Sequence, residues 1–390
     1  MTLKQSFIVV TVLLLIGCAE KPKTIGGSLI DPGSIFSTDT TTIYAAGDST
    51  FIFAFSPGYG ASNLAGRTAL DEEAVSFFKF IPTAALDSLV NASIDTAEIR
   101  LIVNYRLGAA AVPIDFEVYE ALSSWTQGAL NKDSSAASAI GSTLLGTFSD
   151  SMNAGQTVTA QLTDTSTVRR WLESYYDTST ADFNGFVVRP KAGSIPGIIG
   201  FTTFDNSYGY YPALVVKYTT KYGTHDSIFF TYGEDTFVGK LTATPSSFQV
   251  RGGFGVRSKL LFNLTPLVNK PILHKTTLTL VEDTTASLKG GYSPDSAIVF
   301  LGIKGTTLVD SFSTASYAFG VHSVDGYGNS VYQFNINVIA QSWLNSINSN
   351  DGLILRWASE SSTAEKIVFY RSSDPDSLKR PRIKFMYSYR

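Results

Sequence analysis

The sequence predicts an all-β fold, a sandwich or barrel of short strands, and three observations predict it. Charged residues make up only 16% of the 390 and aromatics 13%, beside 32 glycines, a balance poor in long amphipathic helices and rich in strand and turn formers. Short apolar stretches recur, each closed by Gly, Pro or an Asx residue. Only two segments carry a helical period.

The N-terminus comes first. Lys4 precedes an apolar run, Phe7–Ile16, whose length suits the hydrophobic region of a signal peptide and falls short of the ~20 residues that span a bilayer. The run ends in Leu15-Ile16-Gly17-Cys18, the last being the only cysteine. This stretch resembles the bacterial lipobox, which implies a signal peptide over 1–17, cleavage after Gly17 and a lipidated Cys18. Several acyl chains there would anchor the protein stably. The competing reading is a buried free thiol after an ordinary secretory signal. Residues 18–42, rich in Gly, Pro, Ser and Thr, read as a flexible tether. The expected location is the cell envelope, exported and lipid-anchored. Ala19, which carries no retention signal of the Asp type, points to the outer membrane, with its periplasmic or surface face open. A lone cysteine excludes disulfides within the chain. The formal net charge is −3, and −4 once residues 1–17 with Lys4 are removed, so no basic block supports nucleic-acid binding.

The body then reads as strand after strand. In "AEIRLIV", Ala97, Ile99, Leu101 and Val103 share one face; in "TTLTLV", Leu278 and Leu280 face opposite the threonines. "GFVVRP", "ALVVKY", "AIVFLGI", "GLILRW" and "RIKFMY" follow suit. The two helical segments are Ser166–Tyr176, with Val168, Trp171, Leu172 and Tyr175 on one stripe, and Ile336–Ile347, with Ile336, Ile339, Trp343 and Ile347.

These elements occur twice in the same order. Asp48-Ser49-Thr50-Phe51-Ile52 is answered by Asp235-Thr236-Phe237-Val238, and "FFKFI" (77–81) by "LLFNL" (260–264). Trp171 is answered by Trp343, "NGFVVR" (184–189) by "DGLILR" (351–356), and "YPALVVKY" (211–218) by "RPRIKFMY" (380–387). The expected organisation is therefore two homologous modules over 43–220 and 224–390.

The motif order of the first module is "NLAGR", "FFKFI", "DTAEIRLIV", "SSWTQG", "VRRWLESYY", "FNGFVVR" and "PALVVKY". It resembles the DNRLRE-domain family, bacterial modules often attached to exported polysaccharide-active enzymes. The resemblance implies two tandem jelly-roll-like β-sandwich modules, each with one short helix, and in some relatives the binding of acidic polysaccharide. Gln127 stands where the family often has glutamate, Ile81 replaces the usual aspartate, and the second module lacks a W-T-x-G turn.

Catalytic motifs are missing. His225, His274 and His322 lie far apart, and there is no G-x-S-x-G, phosphate loop or H-E-x-x-H, so neither cofactor nor metal is expected. Asp71-Glu72-Glu73 reads as a solvated loop, and the Asx-Gly pairs before strands read as turns rather than calcium ligands. The better binding candidate is "FDNSYGYYP" (204–212), where Tyr208, Tyr210 and Tyr211 cluster beside Asp205 and Asn206. Aromatic rings pack on sugar C–H faces while amides and carboxylates fix hydroxyls; equally, tyrosines at strand ends cap a core. The matching stretch of the second module offers Arg371, Lys379 and Arg380, suited to an anionic ligand. Trp125, in "SSWTQG", either lines a groove or serves the core. The expectation is a non-catalytic envelope lipoprotein binding polysaccharide or another surface polymer, with envelope proteins as the alternative partners and a polysaccharide lyase or hydrolase as a third possibility.

Overall fold

Alternation along the chain becomes two β-sheets. The structure, a computed structural model, describes residues 38–389 apart from 71, 83–88, 90, 110–111, 178, 180–181, 208, 268–270, 291–295 and 303–316, and apart from the side chains of 296–302. The expected signal peptide, Cys18, residues 18–37 of the tether, Asp71 and Tyr208 lie outside the described residues. Strand dominates, and two α-helices of eight or more residues are present among the described residues, so the fold is all-β.

The first sheet holds β2 (Asn63–Arg67), β3 (Glu73–Phe80), β4 (Ser93–Leu107), β5 (Ile114–Glu120), β6 (Gly146–Asp150), β7 (Thr157–Leu162), β8 (Phe186–Pro190), β9 (Gly197–Phe201), β10 (Ala213–Thr219), β11 (His225–Phe230) and β12 (Gly233–Lys240). Its order β4-β7-β6-β5-β8-β3-β2-β9 returns to β4, because β9 pairs both β2 and the far end of β4. Eight strands thus close into a barrel, and the ring strands β3 and β4 each carry a further partner, β12 and β10. The second sheet holds β1 (Asp39–Ile52), β13 (Gln249–Arg251), β14 (Val256–Phe262), β15 (Ile272–Val281), β16 (Ser296–Gly302), β17 (Tyr317–Val324), β18 (Ser330–Asn335), β19 (Leu353–Trp357), β20 (Lys366–Val368) and β21 (Arg382–Ser388). It too closes, through β1-β21-β15-β18-β17-β16-β19-β14 and the β14–β1 pairing. Hydrogen bonding therefore makes rings, the barrel side of the sandwich-or-barrel expectation, where the family resemblance implies jelly-roll-like sandwiches.

The alternation expected in β4 is borne out: Ala97, Ile99, Leu101 and Val103 are all buried. So are three of the four stripe residues of α1 (Thr165–Tyr176): Val168, Trp171 and Leu172 are buried, worth about 1.5–3 kcal/mol for each large side chain, while Tyr175 in the last turn is exposed. Asp164 caps α1 by accepting from the Ser166 amide at 2.8 Å, and those Ser166 hydrogen bonds hold its carboxyl below the usual range. The Trp171 indole N–H and the Tyr175 hydroxyl both donate to the Phe80 carbonyl at 3.0 Å, which pins the helix to the end of β3. The second helix, α2 (Asn337–Leu344), is shorter than its apolar spacing predicts. The backbone turns to a positive φ of 58° at Ser346, so Ile347 leaves the stripe and is exposed.

The repeat is visible in detail. Gly185 and Gly352 precede β8 and β19 with φ of 103° and 94°, and a Cβ there would lie 2.4 Å from the Phe78 carbonyl oxygen and 2.3 Å from that of Leu260. Only glycine permits that approach. Yet the sheets do not follow the expected boundary at 224. The leading strand of each repeat sits in the sheet built by the other repeat. β1 lies between β21 and β14, pairing the first through 39–44 and the second through 45–52. Likewise β11 pairs β10 and β12 pairs β3. The tether is also shorter than expected, because Asp39–Thr42 already pair with β21. Crossing segments at 53–62 and 241–248 carry the chain between sheets.

Each sheet encloses its own core, and a third core lies at their seam. There Leu64, Tyr105, Ile198 and Phe237 of the first sheet meet Phe254, Val256 and Ala364 of the second part. The Ala364 amide donates to the Tyr105 hydroxyl at 3.0 Å. Buried Arg251 reaches Glu72 at 2.6 Å across the same seam. The two sheets are one packed body.

Candidate functional site

The leading aspartates of the repeat have one local job. Asp48, on β1, accepts from the Ser372 amide at 2.7 Å and from Arg371 Nε at 2.8 Å. Asp235, on β12, accepts from the Phe204 amide at 2.6 Å. Each carboxylate anchors the loop that follows β20 or β9, and so fixes where the next residues point. Asp235 is buried, and burial, with the nearby Asp205 carboxylate adding to it, pushes its carboxyl up to about 7.

The loop anchored by Asp235 forms one wall of an open cleft of about 800 Å³ on the first sheet. Thr202, Thr203, Asp205, Asn206 and Tyr210 come from it. Asn104 comes from a β-bulge in β4, between Val103 and Tyr105, where the ladder to β9 shifts register. Its side chain keeps the face that Ile102 also takes, so both residues line the cleft. Tyr59, Gly60 and Ala61 come from the crossing segment, and Asn104 Nδ2 ties that wall down by donating to the Ala61 carbonyl at 2.7 Å.

Gln127 joins the walls from behind. Its buried side-chain amide donates to the Gly58 carbonyl at 2.6 Å and to the Asp205 carboxylate. Within the loop, the Asn206 amide donates to the Thr203 carbonyl at 3.2 Å and Asn206 Nδ2 to the Tyr210 carbonyl at 3.3 Å. Three polar atoms in the lining residues, Asn104 Oδ1, Thr202 Oγ1 and Thr203 Oγ1, are buried with no hydrogen-bond partner among the described residues. Such atoms are rare enough to ask for an explanation. The two described tyrosines that line the cleft are the opposite: Tyr59 is 77% exposed and Tyr210 63%.

Of the residues singled out from sequence, Asp205, Asn206 and Tyr210 line this cleft. Tyr211 is exposed beside the loop but not in the lining. Trp125 is buried, stacked edge-on with Phe77 at 5.8 Å, its indole donating to the Asn184 carbonyl at 2.7 Å. Its place is in the core. Arg371, Lys379 and Arg380 follow β20 in the second part of the chain, away from the cleft. Arg371 pairs with Asp48, the Lys379 ammonium sits 4.6 Å from the Tyr370 ring centroid, and Arg380 donates to the Asp374 carbonyl. Sequence reasoning missed Tyr59, Asn104, Thr202 and Thr203, and read Gln127 only as a departure from a motif. The one signal available was the Gly-Tyr-Gly of 58–60, a turn bearing an aromatic. Compared with known proteins, the chain matches no family model and no curated sequence.

Proposed function

We propose that this protein is a non-catalytic, lipid-anchored envelope protein that binds polysaccharide in the cleft of its first sheet. The cleft carries the reading. Its size falls in the range of ~300–1,000 Å³ common for ligand sites, and it combines two exposed tyrosines with amide, hydroxyl and carboxylate groups. That mixture suits a sugar, whose C–H face packs on aromatic rings while its hydroxyls pair with polar groups. Cys18 is the proposed anchor in the outer membrane. The repeat supports a finer fold reading, two tandem jelly-roll-like modules of the DNRLRE type with their leading strands exchanged. Affinity electrophoresis of the chain beginning at Ala19 against a polysaccharide panel tests the proposal. Retardation removed by Tyr59→Ala and Tyr210→Ala, with thermal stability unchanged, is the expected result; no retardation by any polymer sinks it.

A second reading, docking of an envelope protein, is favoured by one observation. Tyr317, Phe319 and Val321 occupy alternate positions of β17 and are all about half exposed or more, an apolar row of the kind found at protein contacts. Crosslinking in cells from Phe319 tests it, and a product unchanged by Phe319→Asp rules it out.

A further inference from the structure

The chemistry of the cleft lining narrows the ligand, on the premise that it binds glycan. Among the described residues that line it, Asp205 is the only charged one, and none is a lysine or arginine. A uronate or sulfate group entering there would bring a second anion beside Asp205 with no cation to offset it. Like charges in van der Waals reach repel even in bulk water, and more strongly where water is partly excluded. The remaining polar groups ask for a ligand that both donates and accepts. Asp205 accepts, while the hydroxyls of the exposed Ser207, Tyr59 and Tyr210 do either. A neutral sugar carries hydroxyls of that dual character on every ring.

We infer that the cleft takes an uncharged glycan chain and turns acidic ones away, with Asp205 as acceptor for sugar hydroxyls and Gln127 as the residue that aims it. Gln127 is a positioning residue. Its two amide hydrogens go to Gly58 and Asp205, one on each wall, so it sets both the orientation of the carboxylate and the distance to Tyr59. A glutamate at this position has no N–H to give and places a second carboxylate against Asp205, which would open the joint whenever both are ionised.

The test uses the full chain in detergent and polymers matched in backbone but not in charge: dextran with dextran sulfate, and methyl-esterified pectin with polygalacturonate. The expected result is retardation by a neutral member at an apparent Kd at least tenfold below that of its acidic partner, lost in Tyr59→Ala. Equal or stronger retardation by the acidic member, also lost in Tyr59→Ala, overturns this inference and leaves glycan binding standing. No retardation, or retardation that Tyr59→Ala leaves intact, overturns the glycan reading itself. The role of Gln127 is read from a pH profile. Gln127→Glu should bind weakly at neutral pH and recover as the pH falls through the carboxylate range, whereas Gln127→Ala should weaken binding at every pH. A Gln127→Glu protein that binds like the parent across that range refutes the positioning role.

Discussion

Replacing Asp48 with alanine should loosen β1 from the second sheet while leaving the first intact. The Asp48 side chain is only 2% exposed and accepts from the Ser372 amide, the Ser372 hydroxyl and Arg371. Hydrogen bonds to a buried charge contribute about 1.5–3 kcal/mol each at most, and a buried amide left without its acceptor loses a similar amount. Arg371 is half exposed, so water screens that pair and it adds at most about 1 kcal/mol. The Ser372 amide therefore dominates, and the whole effect comes to roughly 2–3 kcal/mol. Hydrogen exchange reads it locally: protection of amides in 39–52 should fall by about 30-fold or more, since ~1.4 kcal/mol is a factor of ten. Amides of β4 and β8 should keep theirs. Protection in 39–52 within about threefold of the parent would refute the claim that this carboxylate pins the leading strand.

Other outcomes follow from the same architecture. A fragment spanning 53–244 keeps β11 and β12 with the sheet they complete and should fold cooperatively. One cut at 43–220 leaves β3 and β10 with open edges and should aggregate or stay unfolded, as read by circular dichroism and light scattering. Gly185→Ala and Gly352→Ala each force a Cβ against a β3 or β14 carbonyl at positive φ, so each should cost more than about 2 kcal/mol in urea unfolding. Asp235 gives a pH dependence whose sign is fixed by its carboxyl being raised from 3.8 to about 7. The folded state holds that proton more tightly than the unfolded chain, so its contribution is complete below about pH 4 and is lost as pH rises through about 7. The unfolding free energy from urea titrations should fall across that window, by up to about 1.4 kcal/mol per pH unit, and Asp235→Asn should flatten the slope.

Local chemistry was enough to locate most strands. Alternation in Ala97–Val103, or Asx-Gly before Phe186 and Leu353, is written within a few residues, and pleat geometry turns it directly into a buried face. The capping Asp164 and the stripe of α1 are local in the same way. Part of the site was legible for a similar reason, since the Tyr and Asx residues of 204–212 crowd one loop.

Pairing is another matter, because a strand's own residues do not name its neighbours. Asp48 and Asp235 matched as repeats, but nothing near them says that each docks into the other repeat's sheet. Asp48 meets Ser372 across 324 positions, which is also why Arg371 read as a free cation. Tyr59, Asn104 and Thr203 come together only because the barrel closes through β9 against the far end of β4. Residues close together in the chain were enough for much of the secondary structure, the repeated order of motifs and one wall of the cleft. The tertiary structure decided which strand completes which sheet and what forms the other wall, since both depend on contacts between residues far apart in the chain.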